Sequence, residues 1–205
     1  MIIPIIIQFI FNEIDASFIG GSLISIVFGV LFFLSNLDHD KKLNLHQAFL
    51  LTGLSWVSIA VFGSLPFIFS SLNLSFTDGF FESMSGITTT GSTIITNLND
   101  APKSILLWRA LLQWLGGIGI IVMAITLMPI MNVGGMQLFK ISSSDTAEKI
   151  LPKSKTISIR LISIYFSLTV LCSFFYKLFG MNFFDSIAHS MTTLATGGFS
   201  NYNES

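Results

Sequence analysis

The feature that most constrains this chain is an internal repeat. The segment FTDGFFESMSGITTTGST begins at Phe76 and aligns without gaps with FFDSIAHSMTTLATGGFS, which begins at Phe183, at an offset of 107 residues. Both copies share an aspartate, a serine–methionine pair, a threonine and a glycine, and both follow a long apolar run. This pattern is typical of a short helix that stops inside a membrane and is followed by a loop of small residues that returns to the same side. The repeat therefore predicts two re-entrant units.

The composition places these units in a membrane. Of the 205 residues, 52% are hydrophobic and 10% are charged, whereas a soluble domain carries roughly a quarter charged residues. A helix needs about 20 apolar residues to cross a hydrocarbon core of about 30 Å. Four uncharged runs are read as spans, at residues 16–37, 47–77, 110–139 and 161–176, the last extended by 157–159. The sequence predicts an all-α polytopic membrane protein with repeated units of helix, re-entrant pore helix with filter loop, and helix.

The basic residues predict the orientation of these spans. Seven of the ten basic residues lie in or beside two links between spans, at Lys41, Lys42, Lys140, Lys149, Lys153, Lys155 and Arg160. Links rich in lysine and arginine face the cytoplasm. Both re-entrant loops are then expected on the outer side.

Each repeat begins with the same helix-start pattern. Ser75 precedes Asp78 by three residues and Asn182 precedes Asp185 by three, which is a capping box with aspartate in place of glutamate. We expect each short helix to run about 12 residues, which at 1.5 Å per residue spans roughly 18 Å. Such a helix passes the middle of the membrane without crossing it, so the chain after it must return to the outer side.

The loop after each short helix has the composition of a cation filter. Bare amides in lipid are costly, so these loops must line protein or water. Backbone carbonyls replace the hydration shell of a cation without adding net charge, and glycine allows the positive φ that turns carbonyls toward one axis. Gly197 aligns with a threonine and is expected to tolerate a side chain better than the central glycine after it. We expect the coordinating residues to be Thr88, Thr89, Thr90, Gly91, Ala195, Thr196, Gly197 and Gly198.

Three further residues are candidates for supporting the loops. Ser92 and Phe199 directly follow the two central glycines, and Arg109 lies at the outer end of the third span. Arg109 could donate to the carbonyls of the first loop or repel cations from the outer mouth. An arginine that only reaches the membrane interface would look the same in the sequence, so the alternatives stay open.

Three stretches together resemble a known family. FFESMSGITTTGST, LLWRALLQWLGGIGIIVMAITLMPIMNVGGMQLFK and HSMTTLATGGFSNY are similar in sequence, order and spacing to the Trk/Ktr/HKT superfamily of potassium transporters, most closely to its TrkH membrane subunits. The resemblance implies four repeats around one pore, each with a central glycine in its loop, here Gly91 and Gly198. It implies potassium uptake, with potassium bound by the filter carbonyls, and looser selectivity than in filters that carry TVGYG.

The resemblance also divides the chain. Residues 1–46 would be additional N-terminal helices, the first incomplete, with a cytoplasmic link. Residues 47–131 would be the first pore repeat, 132–156 a second cytoplasmic link, and 157–205 a second repeat that reaches only as far as its filter loop. We therefore expect an N-terminal fragment that supplies two of four filter loops.

Partners and location follow from the same resemblance. It implies a multi-pass protein of the bacterial inner membrane, a homodimer at full length, and a cytosolic nucleotide-binding regulatory subunit of the TrkA type. The lysine-rich segment 136–155 would contribute to that regulatory contact, although a solvated cytoplasmic loop has the same composition. We expect no cofactor in this chain. A formal charge of −1 provides no basic field for nucleic acid.

Two other functions remain as alternatives. A carrier built on re-entrant hairpins would bind sodium or a small organic substrate in the same loops, but carriers place ionisable residues at the midplane, and these runs carry no charge. An intramembrane enzyme needs a nucleophile paired with a base. Ser85 and His189 lie in different repeats and neither motif has the G-x-S-x-G form, so we expect no catalytic residue.

The lysine bias predicts that residues 100–103 and 201–205 lie outside and residues 149–155 inside. In the full-length protein with Cys172→Ala, Asp100→Cys should react with a membrane-impermeant maleimide added to intact cells, and Lys153→Cys should react only after the membrane is opened. Labelling of position 153 from outside would overturn both the orientation and the filter assignment.

Overall fold

A computed structural model describes residues 1–13, 15–36, 45–131 and 150–204. Within these ranges the chain is all-helical, as predicted. The helices are α1 (Ile2–Phe11), α2 (Ser17–Ser35), α3 (Leu45–Phe69), α4 (Phe76–Ile87), α5 (Lys103–Met131), α6 (Ile150–Leu178) and α7 (Phe183–Leu194). Most of the lysine-rich segment predicted to contact a regulatory subunit lies outside the described residues.

Four helices are long and apolar enough to cross a membrane, and these confirm the predicted number of spans. They cover Ser17–Ser35, Phe49–Phe69, Lys103–Met123 and Thr156–Leu178. Two predicted bounds are wrong. The second span ends at Phe69 rather than at residue 77, because a turn with Asn73 at φ 49° separates α3 from α4. The third span begins at Lys103 rather than at residue 110, and so includes Arg109.

Helix α5 is the central helix of the fold. In the most apolar stretch of its membrane span 56% of the residues are buried, compared with 17% in the corresponding stretch of α2 and 11% in that of α6. It contacts α1, α3, α4, α6 and α7, and therefore both repeats. The apolar core lies along its outer half, around Phe18, Phe67, Ile105 and Leu112.

A carboxylate from the N-terminal segment explains why α5 begins where it does. Glu13 accepts hydrogen bonds from the amides of Lys103 at 2.6 Å and Ser104 at 3.1 Å. The first amides of a helix have no partner within the helix, and a negative group there also interacts favourably with the helix dipole. Glu13 thus caps α5 from a distance of 90 residues in the sequence.

Glycines on α5 let the ends of both short helices rest on it. A Cβ on Gly116 would lie 2.0 Å from the carbonyl oxygen of Ile87, the last residue of α4. A Cβ on Gly117 would lie 2.7 Å from the hydroxyl of Tyr165 and 3.3 Å from the Cα of Ala195, the C-cap residue that directly follows α7. The two re-entrant helices therefore end against neighbouring positions of one spanning helix.

We predict that Gly116→Ala destabilises the full-length protein by about 1–3 kcal/mol or more, because the added methyl group meets backbone that cannot rotate away. Gly119→Ala is the matched control, since its Cβ would lie an ordinary 3.5 Å from Trp56. The temperature at which the detergent-solubilised protein loses its monodisperse elution peak measures both. Equal midpoints for the two variants would contradict the close contact.

Candidate functional site

The two short helices begin and end as predicted. The side-chain oxygen of Ser75 accepts a hydrogen bond from the amide of Asp78 at 3.2 Å, and that of Asn182 accepts from the amide of Asp185 at 2.9 Å. The helices that follow, α4 and α7, are each 12 residues long. The capping pattern read from the sequence is therefore a real pair of helix starts.

Beyond each helix the loop amides fold back onto the helix end. In the first loop the amides of Thr90 and Gly91 both donate to the carbonyl of Ser85, at 3.0 and 3.5 Å. In the second loop the amides of the equivalent residues, 107 positions later, donate to one carbonyl at 3.1 and 3.4 Å. The two loops thus share one hydrogen-bond pattern.

The backbone angles repeat as well. The φ values are 58° at Thr89 and 60° at Thr196, and 81° at Gly91 and 71° at Gly198. Positive φ at the two glycines is the geometry that the sequence predicts for them. Positive φ at a β-branched threonine is a rare, strained conformation that costs about 1–3 kcal/mol. Because this strain recurs at the same place in both repeats, it is a property of the loop.

This geometry leaves the carbonyls without protein partners. Alternating negative and positive φ directs successive amides to one side of the backbone, which here is the helix end. In the part of the chain that the structure describes, the carbonyl oxygens of residues 88–91 and 195–198 accept no hydrogen bond. The next carbonyl of the first loop, that of Ser92, already accepts from the hydroxyl of Ser85 at 2.6 Å. The carbonyls left unpaired are those of the predicted coordinating residues.

The two loops lie directly against each other. A Cβ on Gly91 would lie 1.8 Å from the carbonyl oxygen of Gly197. The central glycine of the first loop therefore touches the second loop, and the two sets of carbonyls belong to one continuous surface.

A buried ion pair holds the outer limb of the first loop. Nε of Arg109 lies 2.7 Å from a carboxylate oxygen of Glu82, and the two side chains are 1% and 0% exposed. The same carboxylate accepts from the hydroxyl of Thr93 at 2.9 Å and from the amide of Ile94 at 3.1 Å. Glu82 thus ties the returning chain to the pore helix α4.

Arg109 carries this attachment to the second loop. It donates to the carbonyl of Ser200 at 2.8 Å, and its guanidinium lies 4.1 Å from the ring centroid of Phe199. The expected contact with carbonyls of the first loop is not the one observed, and full burial excludes an arginine that merely reaches the interface. Of the predicted support residues, Arg109 and Phe199 therefore contact each other.

A second carboxylate anchors the outer limb of the second loop. Asp185 accepts from the side-chain amide of Asn201 at 2.6 Å and from the hydroxyl of Tyr202 at 2.6 Å. The hydrogen bond to Asp185 raises the pKa of the Tyr202 hydroxyl above its ordinary value. Each loop is thus tied to its own pore helix by one acidic side chain.

Two residues of the site were missed in the sequence. Neither Glu82 nor Gln113 was predicted as a site residue. Gln113 is fully buried, and its Oε1 accepts from the amide of Phe199 at 3.1 Å. The available signal was a polar side chain within an apolar helix, which marks a functional or paired residue.

Gln113 also overturns the expectation for Gly197. A Cβ on Gly197 would lie 2.5 Å from both Cδ and Nε2 of Gln113, whereas one on Gly198 would have nothing within 4 Å. Position 197 is restricted to glycine because there is no space for a side chain. Position 198 is restricted to glycine because its φ is positive. The alignment with Thr90 could not show this, because the crowding comes from another helix.

The chain is similar to a family of transport proteins over nearly its whole length. Residues 14–205 match the family profile described as "TrkH: Cation transport protein". The chain is 43% identical to the Trk system potassium uptake protein TrkI of Halomonas elongata, over 100% of this chain and 42% of that protein. It is 39% identical to the Trk system potassium uptake protein TrkH of Escherichia coli K12, over 100% of this chain and 43% of that protein.

A solved structure has the same fold. The crystal structure of the potassium transporter TrkH from Vibrio parahaemolyticus matches with a TM-score of 0.85 and 36% identity, covering 100% of this chain and 41% of that one. The chain therefore spans about two fifths of the length of the relatives it matches.

We predict that Glu82→Gln destabilises the full-length protein by about 3–5 kcal/mol, because it leaves the buried guanidinium of Arg109 without a counter-charge. Asp78→Asn is the matched control on the same helix, where the carboxylate is near the surface and removal of its charge should cost about 1 kcal/mol or less. Thermal unfolding in detergent compares the two. The double variant Glu82→Gln with Arg109→Gln should lose less than the sum of the single variants, and strict additivity would contradict a coupled pair.

Proposed function

The chain belongs to the TrkH family of cation transport proteins and is a multi-pass membrane protein, and we propose that it supplies two of the four filter loops of a potassium uptake pore. The relatives it matches are described as potassium uptake proteins. The observation that carries the proposal is the pair of equivalent loops whose amides are paired and whose carbonyls are unpaired.

The proposed mechanism is passage of a dehydrated cation past these carbonyls. An ion that leaves water needs oxygens to replace its hydration shell, and carbonyls provide them without a charge that would trap the ion. The C-terminal ends of α4 and α7 point their partial negative charge toward the same region. The amide hydrogen bonds to the helix ends hold the strained threonines in the coordinating geometry before the ion arrives, so binding does not have to order the chain.

A ring of more than two repeats is supported by a groove on the first repeat. Where α5 packs on the second repeat, Trp114 donates to Thr169 at 3.0 Å and accepts from Tyr165 at 3.3 Å. The positions 107 residues earlier are Phe62 and Ser58, which line a largely apolar cavity of about 810 Å³ between α2, α3 and α5. A helix equivalent to α5 from another repeat would pack there in the same way.

The charges favour a pore over a carrier. Among the described residues of the third span, the charge nearest the loops is Arg109, and Glu82 neutralises it. A coupled carrier needs an ionisable group that changes its charge at the midplane, and this pair is held by additional hydrogen bonds on both partners. We therefore infer passive or gated passage without a chemical step and without a cofactor in this chain.

The assembly is proposed from the same family relationship. It comprises a homodimer of the full-length protein in the bacterial inner membrane and a cytosolic nucleotide-binding subunit of the TrkA type. In the proposed orientation, α4 and α7 enter from outside and the start of α6 faces the cytoplasm, which agrees with the placement of its basic residues.

We predict that Gly91→Ser in the full-length protein lowers the preference for potassium over sodium by about tenfold or more, because its Cβ collides with the Gly197 carbonyl and disfavours positive φ. Gly53→Ser on α3 is the control, since nothing lies within 4 Å of its Cβ. Ion fluxes in proteoliposomes give the ratio for both variants. A Gly91→Ser protein that remains folded and fully selective would refute the proposed filter.

A further inference from the structure

Gln113 occupies a position that neither the repeat nor the ion pair explains. It lies on α5, one helical turn or about 6 Å below Arg109 and about 15 Å from the start of the helix. Its side chain is completely buried. Burying a side-chain amide at this depth, level with the filter loops, costs free energy unless the amide is hydrogen-bonded.

The hydrogen bond to the second loop fixes the orientation of the amide. Only the oxygen of the amide can accept from the N–H of Phe199, so Oε1 must face that residue at 3.1 Å. Nε2 is then directed to the other side, where it has no hydrogen-bond partner among the described residues. A side chain that served only to fill the space would not leave a buried donor unpaired.

Nε2 lies toward the junction of the two filter loops, 3.6 Å from the position of a Cβ on Gly91. The whole amide lies against Gly197, because the position of a Cβ there is 2.5 Å from Nε2 and 2.7 Å from Oε1. Gly197 does not have a positive φ, so its backbone conformation does not require glycine, and the atoms nearest to an added Cβ are those of Gln113. At the equivalent place the first loop has Thr90, whose own hydroxyl contacts Thr88 at 2.9 Å.

We propose that Gln113 is a positioning residue that sets the place of the second filter loop and thereby determines cation selectivity. It takes the place of the side chain that Gly197 lacks, and it holds the loop through the amide of Phe199. Because the Gly197 carbonyl also abuts Gly91, a shift of Gly197 changes the spacing between the carbonyls of both loops. This inference rests on the proposed function and names a residue that determines its selectivity.

The test is a double-variant rescue in the full-length protein, read as the potassium-to-sodium flux ratio in proteoliposomes. Gly197→Ala alone should lower the ratio by about tenfold, because its methyl group displaces the loop from Gln113. Adding Gln113→Asn should restore most of that loss, because this side chain is one methylene shorter and makes room for the methyl group, while its amide oxygen can still accept from Phe199. A side chain with a merely structural role would add its own loss instead.

Gly198→Ala is the matched control for the rescue. Its defect comes from a positive φ rather than from contact with Gln113, so adding Gln113→Asn should not improve its ratio. Gln113→Leu provides a second test, because leucine keeps the volume but cannot accept from Phe199. It should lower the flux ratio by roughly tenfold while the protein remains monodisperse.

The outcomes separate this inference from the function on which it rests. A wild-type protein that does not prefer potassium would overturn both. A selective wild-type protein in which Gln113→Asn fails to improve Gly197→Ala, or in which Gln113→Leu keeps full selectivity, would overturn the role of Gln113 and leave the proposed pore intact.

Discussion

The ion pair between Glu82 and Arg109 lies within the first repeat, and its further hydrogen bonds reach both loops of this chain. A buried pair repays the cost of leaving water only when further hydrogen bonds satisfy both partners. Here the carboxylate also accepts from Thr93 and Ile94, and the guanidinium also donates to Ser200. The groups that hydrogen-bond to the pair belong to both filter loops, and Nη2 of Arg109 has no hydrogen-bond partner among the described residues. The hydrogen bonds that stabilise the buried pair are therefore also the contacts that hold the two loops in place.

Close packing on α5 provides the second constraint. The ends of the pore helices rest on Gly116 and Gly117, at separations that admit no side chain. Helices in membranes associate through such close contacts because lipid supplies no hydrophobic force between them. The packing fixes the depth of the two helix ends, and the ion pair fixes the loops that leave them. Together they hold two strained loops in contact, which neither loop could maintain by itself.

The repeat in the sequence was sufficient for the local structure of both units. The caps at Ser75 and Asn182, the 12-residue helices and the positive φ at both central glycines follow from residues within one short segment. The number of spans follows from apolar length in the same way. The bounds of two spans were less accurate. The second span ends early at the turn with Asn73, and the third begins early because the distant carboxylate of Glu13 caps a helix that starts at a lysine.

What the sequence alone determined is the set of elements and their approximate depth, because hydrophobic length, helix caps and glycine conformation act over a few residues. What only the tertiary structure decided is which side chains meet. Glu82 and Arg109 are 27 residues apart, Gln113 and Phe199 are 86 apart, and Arg109 and Ser200 are 91 apart. No local pattern encodes these pairs, and for this reason the carbonyl partner of Arg109, the crowding at Gly197 and the place of Gln113 emerge only when α5 is packed between the two loops.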